Sequence, residues 1–128
     1  MKNIKSLILI TMLFVYVSGP VQAEPYGLCS NCTVVSVGSG PHYDSACVQS
    51  TSCAAVAVRG ATLARADCNS ITSWNFVFDT STDSGKSTLS LLLTAMTTGK
   101  PVVIEGAGTC NNAAKIEDLR YIYFSADF

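Results

Sequence analysis

The chain has little of the side chains that most catalytic and metal chemistry needs. It carries one histidine and one tryptophan in 128 residues, and charged residues make up 13% of it. A hydrolytic constellation requires a nucleophile, a base and an orienting acid held together. With His42 as the sole imidazole, neither a Ser-His-Asp nor a Cys-His assignment is supported. Asp44 and Glu105 leave a paired-carboxylate arrangement open, since that chemistry is set by a separation the sequence does not state. Lysine and arginine form no cluster, which excludes the basic stripe that nucleic-acid backbones require. Long apolar runs are also missing: the longest, Leu7–Val17, is about half the roughly 20 residues of a membrane span.

The surroundings of that run give it another meaning. Lys2 and Lys5 precede it, a Ser18-Gly19-Pro20 break follows, and Val21-Gln22-Ala23 supplies the small and aliphatic residues that a signal peptidase reads. This is the tripartite pattern of a cleavable signal over residues 1–23. A mature domain is therefore expected over 24–128, secreted or periplasmic after cleavage near Ala23. The bulky Leu28 before Cys29 argues against a lipid anchor there. Without Lys2 and Lys5, six basic residues face nine acidic ones, a net charge of about −3. Such a sparsely charged surface leaves apolar faces for self-association.

What the chain does have is cysteine. Cys29, Cys32, Cys47, Cys53, Cys68 and Cys110 all follow the leader, and an even set in an exported chain reads as a disulfide framework. A redox role for Cys29-Ser30-Asn31-Cys32 would need a helix start to lower the first thiol's pKa. The residues that follow, Thr33 to Val37, have a strand pattern instead. Zinc would need a second close pair of ligands, and Cys47 and Cys53 are too loosely spaced, with His42 expected in a surface loop. No metal or cofactor site is read. Cys68 is expected to pair with Cys110, and the other four among themselves in an order the sequence leaves open.

Along the chain, residues 32–37 read as a strand ending at the Gly38-Ser39-Gly40-Pro41 turn, and Cys53–Val58 as a small-residue strand. Residues 61–73 read as a loop stapled at Cys68. Trp74, Phe76 and Phe78 alternate with Asn75, Val77 and Asp79, which predicts a strand with one aromatic face inward. A helix follows, with Asp83 or Ser84 as N-cap and Leu89, Leu92, Leu93 and Met96 as its buried stripe. Leu91 and Ala95 lie off that stripe and point to a second contact surface. Gly99 and Pro101 end the helix. Pro101–Gly106 reads as a short strand, Ala107–Thr109 as a turn, and Glu117–Phe124 as the final strand. The fold class is mainly β with one core helix.

Two motifs imitate ligand sites. Gly85-Lys86-Ser87, after a strand and opening a helix, resembles a phosphate-binding loop, but the required first glycine is replaced by Thr80. Asp79, Thr80, Thr82 and Asp83 lack the dense carboxylate pattern of a calcium loop and read as a polar turn. Asn31-Cys32-Thr33 is formally a glycosylation sequon, to which the Lys-led, bacterial style of the leader gives no weight.

The stretch Trp74–Phe128 resembles the second half of the small B subunits of AB-type bacterial toxins. The matching elements are Asn75–Asp79, Gly85–Thr98, Pro101–Gly106 and Leu119–Phe124. The segment "STLSLLLTAMTTGKPVVI", with "GAGTC" and "IEDLRYIYF" after it, is similar to a recurrent pattern in small exported proteins of Gram-negative bacteria. The resemblance implies a small OB-fold-like barrel stabilised by disulfides. It also implies a homo-oligomer, pentameric in that family, with a glycan as ligand and an enzymatic A subunit as partner. None of the family's glycan-binding residues carries over, because the first half of the chain departs from its pattern. From the residues themselves, His42, Tyr43 and Asp44, just after the glycine-rich turn, best combine an aromatic face with hydrogen-bonding groups. A small exported structural or inhibitory protein acting through a β-edge is the competing expectation.

Overall fold

The computed structural model describes residues 26–125, so the leader expected over 1–23 lies outside the described residues. The elements run β1 (Leu28–Ser39), α1 (Pro41–Asp44), β2 (Cys53–Arg59), β3 (Phe76–Asp79), α2 (Asp83–Thr98), β4 (Val102–Gly106) and β5 (Glu117–Phe124). The strands close on themselves as a barrel in the order β1-β2-β3-β5-β4. The β3–β5 pairing is parallel and the others are antiparallel.

Closure depends on β1, which starts earlier than its apolar alternation predicts. Its first residues pair with β4, Leu28 with Glu105 and Cys32 with Val102. Its later residues pair with β2, from Thr33 opposite Arg59 to Ser39 opposite Ala54. The register shifts between Cys29 and Cys32, and Asn31 takes a positive φ of 55° there. A bulge of this kind bends a strand from one sheet into the next. The Cys29–Cys32 disulfide spans the bend, with both residues fully buried. The C-x-x-C spacing therefore belongs to a strand bulge and not to a helix start.

The other bridges are Cys47–Cys53 and Cys68–Cys110. The second is the pairing expected from the sequence, and the first completes the two local links that were left open. Residues 61–73 form a loop without regular strand or helix, held through Cys68 as expected.

Two apolar clusters fill the molecule. The barrel interior holds Val34, Val56, Phe76, Phe78, Leu92, Val102 and Ile104. A second cluster of Cys47, Cys53, Val77, Ala113 and Ile116 lies on the other side of β3, with Tyr43, Ile71 and Trp74 packed against it. The inward aromatic face expected of β3 is present in Phe76 and Phe78, but the opposite face is buried as well. Val77 is only 2% exposed, because loops cover the outer face. Trp74 precedes the strand instead of alternating within it.

Helix α2 corrects the sequence reading in two further respects. Its N-cap is Thr82, whose side chain accepts from the Gly85 amide at 3.0 Å, not Asp83 or Ser84. Its buried face is Gly85, Leu92 and Ala95, whereas Leu93 and Met96 are 41% and 38% exposed. Small residues decide this rotation. A Cβ at position 85 would overlap the Asp79 carbonyl, so the helix approaches β3 backbone to backbone, and Ala95 follows onto that face. The helix does end as predicted, with Gly99 in the left-handed region at φ 68°.

Two buried carboxylates organise the loops around β5. Glu117, fully buried, accepts from the amides of Gly27 at 2.7 and 2.9 Å and Gly108 at 2.9 Å. Asp118 accepts from the Thr109 hydroxyl at 2.7 Å and from the amides of Asn111 and Asn112 at 2.8 and 2.9 Å. Buried carboxylates are tolerated when such donors replace water. Among the described residues no helix is long and apolar enough to cross a membrane.

Candidate functional site

The Gly38–Pro41 turn delivers His42, Tyr43 and Asp44 into α1, one helical turn begun by Pro41 after Gly40 at φ 110°. His42 was expected in a loop; Pro41, with its φ already helical, starts a turn there instead. The three side chains then separate by role. Asp44 turns inward, and its Oδ1 accepts from the Cys53 amide at 2.9 Å. Through that oxygen it anchors α1 to β2.

Tyr43 packs over Gly38, where a Cβ would overlap its ring. Its edge meets Trp74 at a centroid distance of 5.4 Å with planes 89° apart. His42 meets Tyr43 on another side, also at 5.4 Å and 82°. His42 is exposed, and Tyr43 and Trp74 are half-buried. The result is a partly exposed aromatic row, His42–Tyr43–Trp74, resting on the second apolar cluster. Trp74 joins it from 31 positions further along the chain than Tyr43. Its alternation with Phe76 assigned it to a strand in the sequence reading, although the exposed Thr72 and Ser73 before it belong to the loop that leads into β3.

The remaining candidates sort by their partners. The Lys86 ammonium is exposed and lies 3.3 Å from Asp83 Oδ1, and Gly85 is pressed against Asp79, so no phosphate cradle forms there. Asp79 Oδ1 accepts from the amide and hydroxyl of Ser81 at 2.7 and 2.6 Å, which makes the segment a closed polar turn. No group of three or more His, Cys, Asp or Glu side chains that could hold a metal occurs among the described residues. Asp44 and Glu105 do not form a carboxylate pair. Asp44 sits by the Ser39 end of the twelve-residue β1, and Glu105 is in register with Leu28 at the other end.

Two features had no signal in the sequence. A cleft of about 220 Å³ opens between the first turn of α2 and β5, lined by Thr82, Ser84, Thr88, Asn112 and Arg120 among others. On the outer face of β4–β5, Tyr121 and Tyr123 stack at 6.0 Å and 26°. The Tyr121 hydroxyl donates to Glu105, and Arg120 Nη1 donates to the same carboxylate at 3.0 Å. The hydrogen bond to Glu105 and, after it, burial raise the Tyr121 pKa above the ordinary tyrosine value. Compared with protein-family models, with curated proteins and with solved structures, the chain matches none of them.

Proposed function

We propose that the protein is an exported, non-enzymatic binding module that takes a glycan on its surface and works as a homo-oligomer. The observation that carries the reading is the His42–Tyr43–Trp74 row. Aromatic faces suit the C–H faces of sugar rings, and an imidazole beside them supplies a hydrogen-bonding group. Export is supported by three disulfides in one small chain, together with the leader pattern. The closed order β1-β2-β3-β5-β4, with α2 between β3 and β4, supports the reading of a small OB-fold-like barrel. It agrees with the resemblance to toxin B subunits, in which an enzymatic A subunit is the partner. Self-association is supported by Leu93 and Met96, exposed on α2.

The test is binding of the disulfide-intact protein to an immobilised glycan panel, with size measured by light scattering. The expected result is saturable binding by an oligomer, weakened several-fold in His42→Ala. Absence of binding to every glycan, or a strict monomer at micromolar concentration, overturns the corresponding half of the proposal.

A second reading, a module that acts on another protein through a β-edge, is favoured by one observation. β5 pairs with β3 only at Glu117 and Asp118, so beyond Asp118 its regular ladder runs on the β4 side alone. Capture of an extended peptide by that edge, without glycan binding, would select this reading.

A further inference from the structure

We propose that the outer face of β4–β5 is a second carbohydrate subsite, formed by the stacked rings of Tyr121 and Tyr123 beside the Arg120–Glu105 pair. The proposal rests on the glycan reading of the molecule but places a ligand on a different surface from His42, Tyr43 and Trp74.

The face follows from strand alternation. Val102 and Ile104 of β4 are fully buried in the barrel, and their partners on β5, Phe124 and Ile122, pack against the same core. Residues of the other parity, Val103 and Glu105 opposite Tyr123 and Tyr121, therefore point outward. Tyr121 and Tyr123 are 40% and 51% exposed. Large aromatics left outside in this way are informative, whereas single exposed aliphatic residues are not.

The polar groups beside the rings are held in place. Glu105 is only 8% exposed and engages both the Tyr121 hydroxyl and Arg120. That engagement holds the Tyr121 hydroxyl and the Arg120 guanidinium on one carboxylate. Arg120, 62% exposed at its side chain, keeps further N–H donors for sugar oxygens. The ring planes lie 26° apart with centroids 6.0 Å apart, so the two rings stack as one aromatic pair on this face.

Size chooses the occupant. Two half-exposed tyrosines offer on the order of 100 Å² each, far below the roughly 800 Å² per partner of a stable protein interface. One or two sugar rings fit that area. Electron-rich ring faces, a guanidinium and phenolic hydroxyls match the C–H faces and hydroxyls of a saccharide.

The test titrates the full disulfide-intact protein with lactose, cellobiose, maltotriose and sialyllactose. It follows the ring signals of Tyr121 and Tyr123 by nuclear magnetic resonance and Trp74 emission in parallel. At least one sugar is expected to shift both tyrosine signals saturably. Tyr123→Ala, which removes an exposed ring without opening the core, should weaken that response about tenfold and leave the Trp74 response unchanged. Tyr123→Phe should retain most of it. If Trp74 responds to a sugar and the tyrosine signals do not, this subsite is wrong and the first one stands. If neither responds, both are wrong. Tyrosine signals that move with protein concentration instead of sugar would identify the face as a contact between copies and overturn the carbohydrate assignment.

Discussion

The carboxylate of Glu117 and the amide of Gly27 are joined by two hydrogen bonds, at 2.7 and 2.9 Å, across 90 positions of sequence. A Cβ on Gly27 or on Gly106 would overlap that carboxylate, so both glycines are there for close approach. Glu117→Gln replaces one acceptor oxygen with a donor that faces amide donors. It should cost about 3 kcal/mol of unfolding free energy, read from urea denaturation. Gly106→Ala should destabilise by about 1–3 kcal/mol through overlap with the same group.

The three disulfides should contribute unequally. Cys68–Cys110 closes a sequence separation of 42, against 3 for Cys29–Cys32 and 6 for Cys47–Cys53. Loop-closure entropy assigns about 4 kcal/mol to the long link and about 2 kcal/mol to each short one. Thermal denaturation of the paired Cys→Ala variants should follow that ranking.

The two faces of α2 predict opposite outcomes for similar substitutions. Leu92→Ala opens a cavity beneath a fully buried side chain and should cost about 2–5 kcal/mol. Leu93→Ser with Met96→Ser alters the exposed face and should change stability by less than about 1 kcal/mol while shifting the proposed oligomer toward monomer. Denaturation curves and light scattering separate the two effects.

Tyr121 should titrate above the ordinary tyrosine value in alkaline solution, because its neutral hydroxyl donates to Glu105. The sign is that of a raised folded-state pKa. The stabilisation is complete below the unfolded tyrosine value near 10.0 and is lost as pH rises through the higher folded value. Glu105→Gln should lower the Tyr121 pKa toward its ordinary value, as read by tyrosinate absorbance.

Element type and order were legible because they rest on local chemistry. The αL glycine at Gly99, the proline after it, and the run of small apolar residues in Cys53–Val58 each act within a few residues. The rotation of α2 was not legible, since Leu91, Leu92 and Leu93 give an apolar stripe in several directions. The choice among them is made by Gly85 against the Asp79 carbonyl, a contact between helix and strand backbones. The C-x-x-C bulge was hidden for a similar reason, because β1 bends to reach β4, a partner about 70 residues away. In the candidate site, His42 and Tyr43 were found from the glycine-rich turn beside them. Asp44 had the right chemistry but is engaged by Cys53, and Trp74 enters only through folding.

Trp74 is the sole tryptophan of the chain and lies within the aromatic row, so its emission reports on that surface alone. The measurement that tests the account most directly is therefore intrinsic fluorescence of the disulfide-intact protein during titration with a glycan that it binds on the panel. The account predicts a saturable change in Trp74 emission, reduced in His42→Ala. A bound glycan that leaves the emission unchanged, or a panel on which nothing binds, would contradict it.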